Sequence, residues 1–230
     1  MKILSKKAVI IFLCAIFLCF TLFFINIKSN IQTFQPVLNT VVVIDAGHGG
    51  IDGGCTGKIT GVYESDLNLK YAKNLYSQLT SMGISCYLTR KDGNGLYEKN
   101  AKNLKKSDMQ KRKEIIEKVN PTLVVSIHMN SFPLSSACGA QVFYKKDNNA
   151  GKVLADSVQG QLNKSIKNAK KTSKVGDYYM VNCTDLPAVL IECGYLSNNE
   201  EEVLLQNKDY QNKFCYVLSC GIVDFLNAST

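Results

Sequence analysis

Three short apolar runs limit what this chain can become. Thr40–Ile44 (TVVVI), Thr122–Ile127 (TLVVSI) and Ala188–Ile191 (AVLI) carry no charge and are rich in β-branched residues. Runs of this length and composition read as strands covered on both faces. Ile84–Thr89 and Gly139–Tyr144 are two further strand candidates. Between them the apolar spacing changes to three and four residues, first at Leu67, Tyr71, Leu75, Leu79 and Met82. It returns at Leu154, Val158, Leu162 and Ile166, and again at Tyr210, Phe214, Leu218, Ile222 and Phe225. That period is helical. Ser65 is placed to cap the first helix and Gly83 to end it. A further helix is predicted from Ser107 to about Val119, with Pro121 ahead of the next strand. Strands alternating with helices predict an α/β fold, a sheet flanked by helices on both faces.

The 230 residues divide unevenly. Ala8–Ile27 is twenty residues long, broken only by Thr21 and Asn26, and Lys2, Lys6 and Lys7 precede it. Such a stretch is long enough to span a hydrocarbon core, with the amino terminus held on the cytoplasmic side. A cleaved signal peptide is the competing reading, but the run is long for one and no A-x-A pattern follows. We therefore expect an N-terminal membrane anchor over residues 1–28, a linker over 29–39 and one extracytoplasmic catalytic domain over 40–230. Of the 27 Lys and Arg residues, four lie in Met1–Lys28, leaving 23 against 19 acids. The excess is almost all lysine, Arg90 and Arg112 being the only arginines. It suits an anionic polymer and no nucleic acid, whose readers use arginine. Seven of nine cysteines lie beyond the anchor, an odd number without a C-x-x-C, so no disulfide framework is expected. Arg90–Lys106, rich in Gly, Asn and Lys, reads as a long surface loop.

The chain has two histidines, and each follows a buried-type strand: VVVID-AG-His48 and LVVSI-His128. In open α/β sheets, sites form beyond the carboxyl ends of strands. Glycines at 47, 49, 50, 53 and 54 let the first loop turn sharply. Neither nucleotide-loop pattern, G-x-G-x-x-G or G-x-x-x-x-G-K-[ST], is present. Two imidazoles with one carboxylate are the donor set of a hydrolytic zinc that keeps a position open. The carboxylate candidates are Asp45, Asp52, Glu64 and Asp66. Asp45 should alternate away from the loop, Asp52 could close a turn, and Asp66 suits a first helical turn. Glu64, just ahead of the helix, has the reach, but on these residues alone the choice stays open. Glu192 follows five apolar residues, where an acid is costly unless it is paired or used. It is the candidate catalytic carboxylate, and the alternatives are a lysine pair or a cap for the Asn198–Asn199 turn. Cys193 could serve as a nucleophile with His128, but adjacent strand residues face opposite ways. Glu192 and Cys193 cannot both line one site. Asn130 and Ser131 either contact a glycan or only shape the turn.

Four stretches, IDAGHGGIDGG, GVYESDLNL, LVVSIHMNSF and PAVLIECGYLSN, resemble in order and spacing the zinc-dependent N-acetylmuramoyl-L-alanine amidases of bacterial cell walls. Leu88-Thr89-Arg90 with Asp92, Arg112 and Gly139–Tyr144 match the same pattern. The resemblance implies a mixed, largely parallel six-stranded sheet. It implies one zinc ion held by His48, Glu64 and His128, and Glu192 as the catalytic residue. The implied reaction is hydrolysis of the amide joining N-acetylmuramic acid to L-alanine of the peptidoglycan stem peptide. The short chain and single anchor are most similar to the spore-cortex, germination-specific members, whose product leads to muramic-δ-lactam. Other expectations in view are a vegetative wall amidase or autolysin, a zinc peptidase or deacetylase on peptidoglycan, and an inactive tethered binding protein. No helix that plugs the site is expected, which leaves room for an external regulatory protein.

Overall fold

The TVVVI run forms β1 (Val41–Ala46), and five more strands gather around it: β2 (Ser85–Leu88), β3 (Leu123–Asn130), β4 (Gln141–Tyr144), β5 (Lys174–Val175) and β6 (Ala188–Tyr195). The computed structural model describes residues 16–17 and 40–228. The chain separates into two units, Met1–Gln35 and Pro36–Thr230, and all six strands lie in the second. The strands form one sheet in the order β2-β1-β3-β6-β4-β5. β2, β1, β3 and β6 are mutually parallel, β4 runs antiparallel to β6, and β5 is parallel to β4. The expected mixed, largely parallel six-stranded sheet is what the chain forms.

Six helices complete the described unit: α1 (Glu64–Ser81), α2 (Leu104–Val119), α3 (Asn149–Ser165), α4 (Tyr179–Asn182), α5 (Asn199–Gln206) and α6 (Lys208–Ala228). Alternate residues of the central strands enter two cores. Val42, Ile44, Val125, Ile127, Val189, Ile191 and Cys193 join Leu67, Tyr71, Leu154, Val158, Phe214 and Leu218 in the larger one. This is the face covered by α1, α3 and α6, and burying each large side chain contributes about 1.5–3 kcal/mol. Val43, Val124, Ala188 and Leu190 meet Ile116, Met180 and Val181 in the smaller core under α2 and α4.

Several local expectations shift. Ser65 does not cap α1: the N-cap is Tyr63, which makes no side-chain cap bond, and Ser65 lies inside the first turn. Gly83 follows the helix with φ 80°, as a helix-ending glycine should. α2 starts at Leu104 rather than Ser107, because the Asn103 side chain accepts from the Lys106 N–H and caps it three residues earlier. The 90–103 segment is a loop, but it is tied to the molecule through Arg90, which is 3% exposed. The seven described cysteines are free thiols. Among the described residues no helix is long and apolar enough to cross a membrane. The expected anchor at 8–27, except residues 16 and 17, and the expected linker at 29–39 lie outside the described residues.

Candidate metal centre

The loop that leaves β1 reverses within two residues. His48 takes a left-handed conformation, φ 61°, and Gly50 follows at φ 62°. For a residue with a side chain this costs about 1–2 kcal/mol, so the turn must be held by its surroundings. It brings the imidazole back over the sheet end, where a second imidazole stands on β3. The His48 and His128 rings meet edge to face with centroids 5.0 Å apart. Gly47 makes the approach feasible, because a β-carbon there would overlap the His128 ring.

Glu64, at the first residue of α1, completes the group. Its Oε1 lies 3.2 Å from His48 Nε2 and 2.9 Å from His128 Nδ1. The three residues offer donor atoms that all lie within 4.8 Å of one another. The same carboxylate accepts from the backbone N–H of Cys55 at 2.9 Å and of Met129 at 3.2 Å. Gly54, φ 68°, lacks the β-carbon that would collide with it. Burial pushes the Glu64 pKa up, but hydrogen bonds from His128 and His48 outweigh it and hold the carboxyl well below its usual range. Burial also pulls His48 down, and the Glu64 and Asp52 carboxylates outweigh that to raise it.

Of the four acids weighed for the third position, Glu64 alone joins the histidines. Asp45 is fully buried, accepting from Arg112 Nη1 at 2.6 Å, Ser126 Oγ at 2.6 Å and Thr89 Oγ1 at 2.7 Å. Asp66 is exposed in the first turn of α1. Asp52 has two roles. It closes the turn by accepting from Gly54 N–H at 3.1 Å, and its other oxygen lies 3.0 Å from His48 Nδ1. A carboxylate on the far nitrogen of a ligating imidazole fixes its tautomer and orientation. Spacing concealed this pairing, although an i,i+4 acid within a glycine loop was its visible signal. Asn68 was also missed. One turn along α1 from Glu64, it donates to Gly47 O at 3.2 Å and to Glu64 Oε1 at 3.3 Å. A buried asparagine between Leu67 and Leu69 was the available clue.

Glu192 stands beside His128 in the β3–β6 register, on the same face of the sheet, and the register shifts just beyond this pair. Glu192 is 7% exposed and its Oε2 has no hydrogen-bond partner among the described residues. Neither a lysine pair nor a turn cap accounts for it, since Asn198 caps α5 with its own side chain. Burial pushes the Glu192 pKa up to about 7; the nearby Glu64 charge adds to the rise, and His128 and His48 oppose it. Cys193 points the other way, into the larger core, and burial pushes its thiol well up. It has the surroundings of a small hydrophobe and lacks those of a nucleophile. The Asn130 side chain accepts from Ser131 N–H at 2.8 Å, so this pair shapes the turn.

A cleft of about 260 Å³ opens beside the histidines, bordered by Lys105, Met109, Asp177, Tyr178 and Tyr179. Two imidazoles at the edge of a cleft, an ionised carboxylate that meets both, and a second buried carboxylate whose pKa is raised to about 7 define a hydrolase centre. Residues 42–224 match the N-acetylmuramoyl-L-alanine amidase family, and the chain belongs to it. It is similar to the germination-specific N-acetylmuramoyl-L-alanine amidase of Bacillus subtilis, 29% identical over 83% of this chain and 81% of the relative. Among solved structures it resembles the CwlD amidase of Clostridioides difficile, determined in complex with the GerS lipoprotein. That match has a TM-score of 0.79 at 36% identity and covers 83% of this chain and all of that one. The catalytic domain of CwlV from Bacillus (Paenibacillus) polymyxa gives 0.73 at 31% identity, over 82% of this chain and 98% of that domain. The protein is an N-acetylmuramoyl-L-alanine amidase acting on peptidoglycan.

Proposed function

We propose that one zinc ion, held by His48, Glu64 and His128, serves this amidase, with Glu192 as its catalytic carboxylate. The donor chemistry fits: two imidazole nitrogens and one carboxylate oxygen, all within 4.8 Å of each other, suit a borderline-soft divalent cation. When bound, zinc supplies a Lewis acid for the amide carbonyl and makes a water acidic near neutrality. Asp52 keeps the ring of His48 turned so that Nε2 is the free donor. Glu64, whose burial is outweighed by its bonds to His128 and His48, stays ionised, and the Cys55 and Met129 N–H groups hold it in place. Glu192 takes the proton of the attacking water and returns it to the departing alanine nitrogen, which needs a base poised near pH 7. The observation that carries this role is the unpartnered, buried Oε2 of Glu192 next to His128.

Glu192→Gln tests it with zinc content and turnover measured together. The expected outcome is full zinc and turnover lowered about 10²–10⁴-fold; full zinc with parental turnover removes Glu192 from the chemistry. Product analysis belongs to the same experiment. New L-alanine amino termini and peptide-free glycan match the amidase reaction, whereas a cut within the stem or released acetate would contradict it.

The likeness to the germination-specific enzyme of Bacillus subtilis and to CwlD supports a finer reading, in which the substrate is spore cortex. The freed muramic acid then goes on to muramic-δ-lactam. Muropeptide profiles of spores from a deletion strain decide it: an unchanged lactam content would move the enzyme to the vegetative wall. We extend two further features to this chain on the same footing. The apolar segment at 8–27 anchors the catalytic domain outside the cytoplasmic membrane, which resistance to alkaline extraction would support. An external protein partner is the counterpart of the lipoprotein seen with CwlD.

A further inference from the structure

The chain has 27 basic residues and only two are arginine, Arg90 and Arg112. Both are buried, and both direct their guanidinium groups to the loop that carries His48. Arg112 donates from Nη1 to Ala46 O at 2.7 Å and from Nη2 to His48 O at 2.6 Å. Arg90 donates from Nε to Ala46 O at 2.8 Å and from Nη2 to Gly47 O at 3.0 Å. Its Nη2 also reaches Ser65 O at 2.7 Å, the residue after Glu64. Three successive carbonyls, 46 to 48, are thus held by two forks.

Arg112 has a second task, bonding Asp108 through Nε and Asp45 through Nη1, each at 2.6 Å. Arg90 has none. Among the described residues it forms no ion pair, and its remaining bond, from Nη1 at 2.8 Å, goes to the carbonyl of Asp92. A cation buried without a carboxylate is costly, and here every donor contact is with a main-chain oxygen. Lysine, abundant elsewhere in the chain, cannot replace it, because an ammonium is a point charge on a flexible stem while a guanidinium is a rigid planar fork. The carbonyls it holds lead into the left-handed turn at His48.

We propose that Arg90 and Arg112 are positioning residues for the metal centre. By fixing the carbonyls of Ala46, Gly47 and His48 they hold the His48 ring where it meets Glu64 and His128. The proposal rests on the three-ligand reading of the site. It makes the turn a preorganised half of the centre, so the ion does not have to order it on arrival.

The experiment is a zinc titration of the parent, Arg90→Lys and Arg112→Lys against a chromophoric chelator. Thermal unfolding of each metal-free protein is recorded alongside. Supporting partners of metal ligands typically change affinity about 10–100-fold, and a loss in that range is expected for each variant while it remains folded. Excess zinc should restore much of the turnover of Arg90→Lys. A lower melting temperature with zinc affinity within about twofold of the parent would overturn the proposal, since an arginine that only braces the core moves the first and not the second. If Arg112→Lys does not fold, Asp108→Asn replaces it, keeping the guanidinium and removing one anchor. A smaller loss, toward about tenfold, is then expected, and none would count against Arg112. A parent that takes up no zinc would overturn the ligand reading and this proposal together. A parent with one zinc and arginine variants that bind it equally well would overturn only the proposal.

Discussion

Alternate residues of the same three strands build two unlike surfaces. On one side β1, β3 and β6 present Ile44, Ile127 and Ile191 to the larger core. On the other side the positions one residue further along are Asp45, His128 and Glu192. That second side begins apolar, with Val43, Val124 and Leu190 in the smaller core, and becomes polar toward the carboxyl ends. The comparison separates two requirements that share a backbone: one face supplies the free energy that keeps the sheet folded, and the other places charged groups it can hold only because that free energy is available.

Substitutions that act on one face and not the other would sharpen this contrast. Phe214→Ala on α6 removes a fully buried ring packed edge to face on Tyr71 at 5.6 Å. It should cost about 3–5 kcal/mol in denaturant unfolding and leave the turnover of the folded fraction intact. Glu192→Gln should instead stabilise the metal-free protein, and only at high pH. Because burial raises the Glu192 pKa to about 7, the folded chain favours the protonated acid. That contribution is fully present below the unfolded pKa and is lost as pH rises through 7. The glutamine variant should therefore gain up to about 3 kcal/mol over the parent at pH 9 and nothing at pH 4, read from melting curves. Gly47→Ala places a β-carbon against the His128 ring and should lower turnover by about 10²-fold with little change in denaturant midpoint. Asp52→Asn removes the negative charge facing the far nitrogen of His48. With Asp52 one-third exposed, at 34%, we expect the low end of such effects, about tenfold in zinc affinity by competition titration. A loss of stability in place of activity for Gly47→Ala, or the converse for Phe214→Ala, would break the division between the faces.

Much of this division could be read from the chain. Each apolar run became a strand, and the period-four spacings became α1, α3 and α6. Both histidines came to the carboxyl ends of neighbouring strands, His48 just past β1 and His128, expected beyond its strand, inside the last residues of β3. Glu64 was one of four acids until its position in a family pattern singled it out, since the residue alone says nothing of where the loop ahead of it returns. The elements that went unread are short or held by long-range contacts. β5 has two exposed residues and exists because β4 offers it an edge. α5 follows no apolar period. It is held by Glu201, which accepts from Gly139 and Tyr195 N–H at 2.8 Å each, and by Glu202, which accepts from Ile59 and Thr60 N–H. Apart from the bond to Tyr195, six residues away, these reach segments dozens of residues distant and leave no local trace. The same holds for Asp45, whose partners Thr89, Arg112 and Ser126 come from three separate segments.

His128 and Glu192 are neighbours across a parallel ladder, joined by main-chain hydrogen bonds and without a loop between them. The separation of the two backbones is therefore set by the interstrand spacing, and the rotamers of the two side chains set only how far each reaches from that fixed base. An aspartate at 192 would start from the same backbone position and fall one carbon short. The sheet thus fixes the points from which these two side chains start, and side-chain length decides what they can reach.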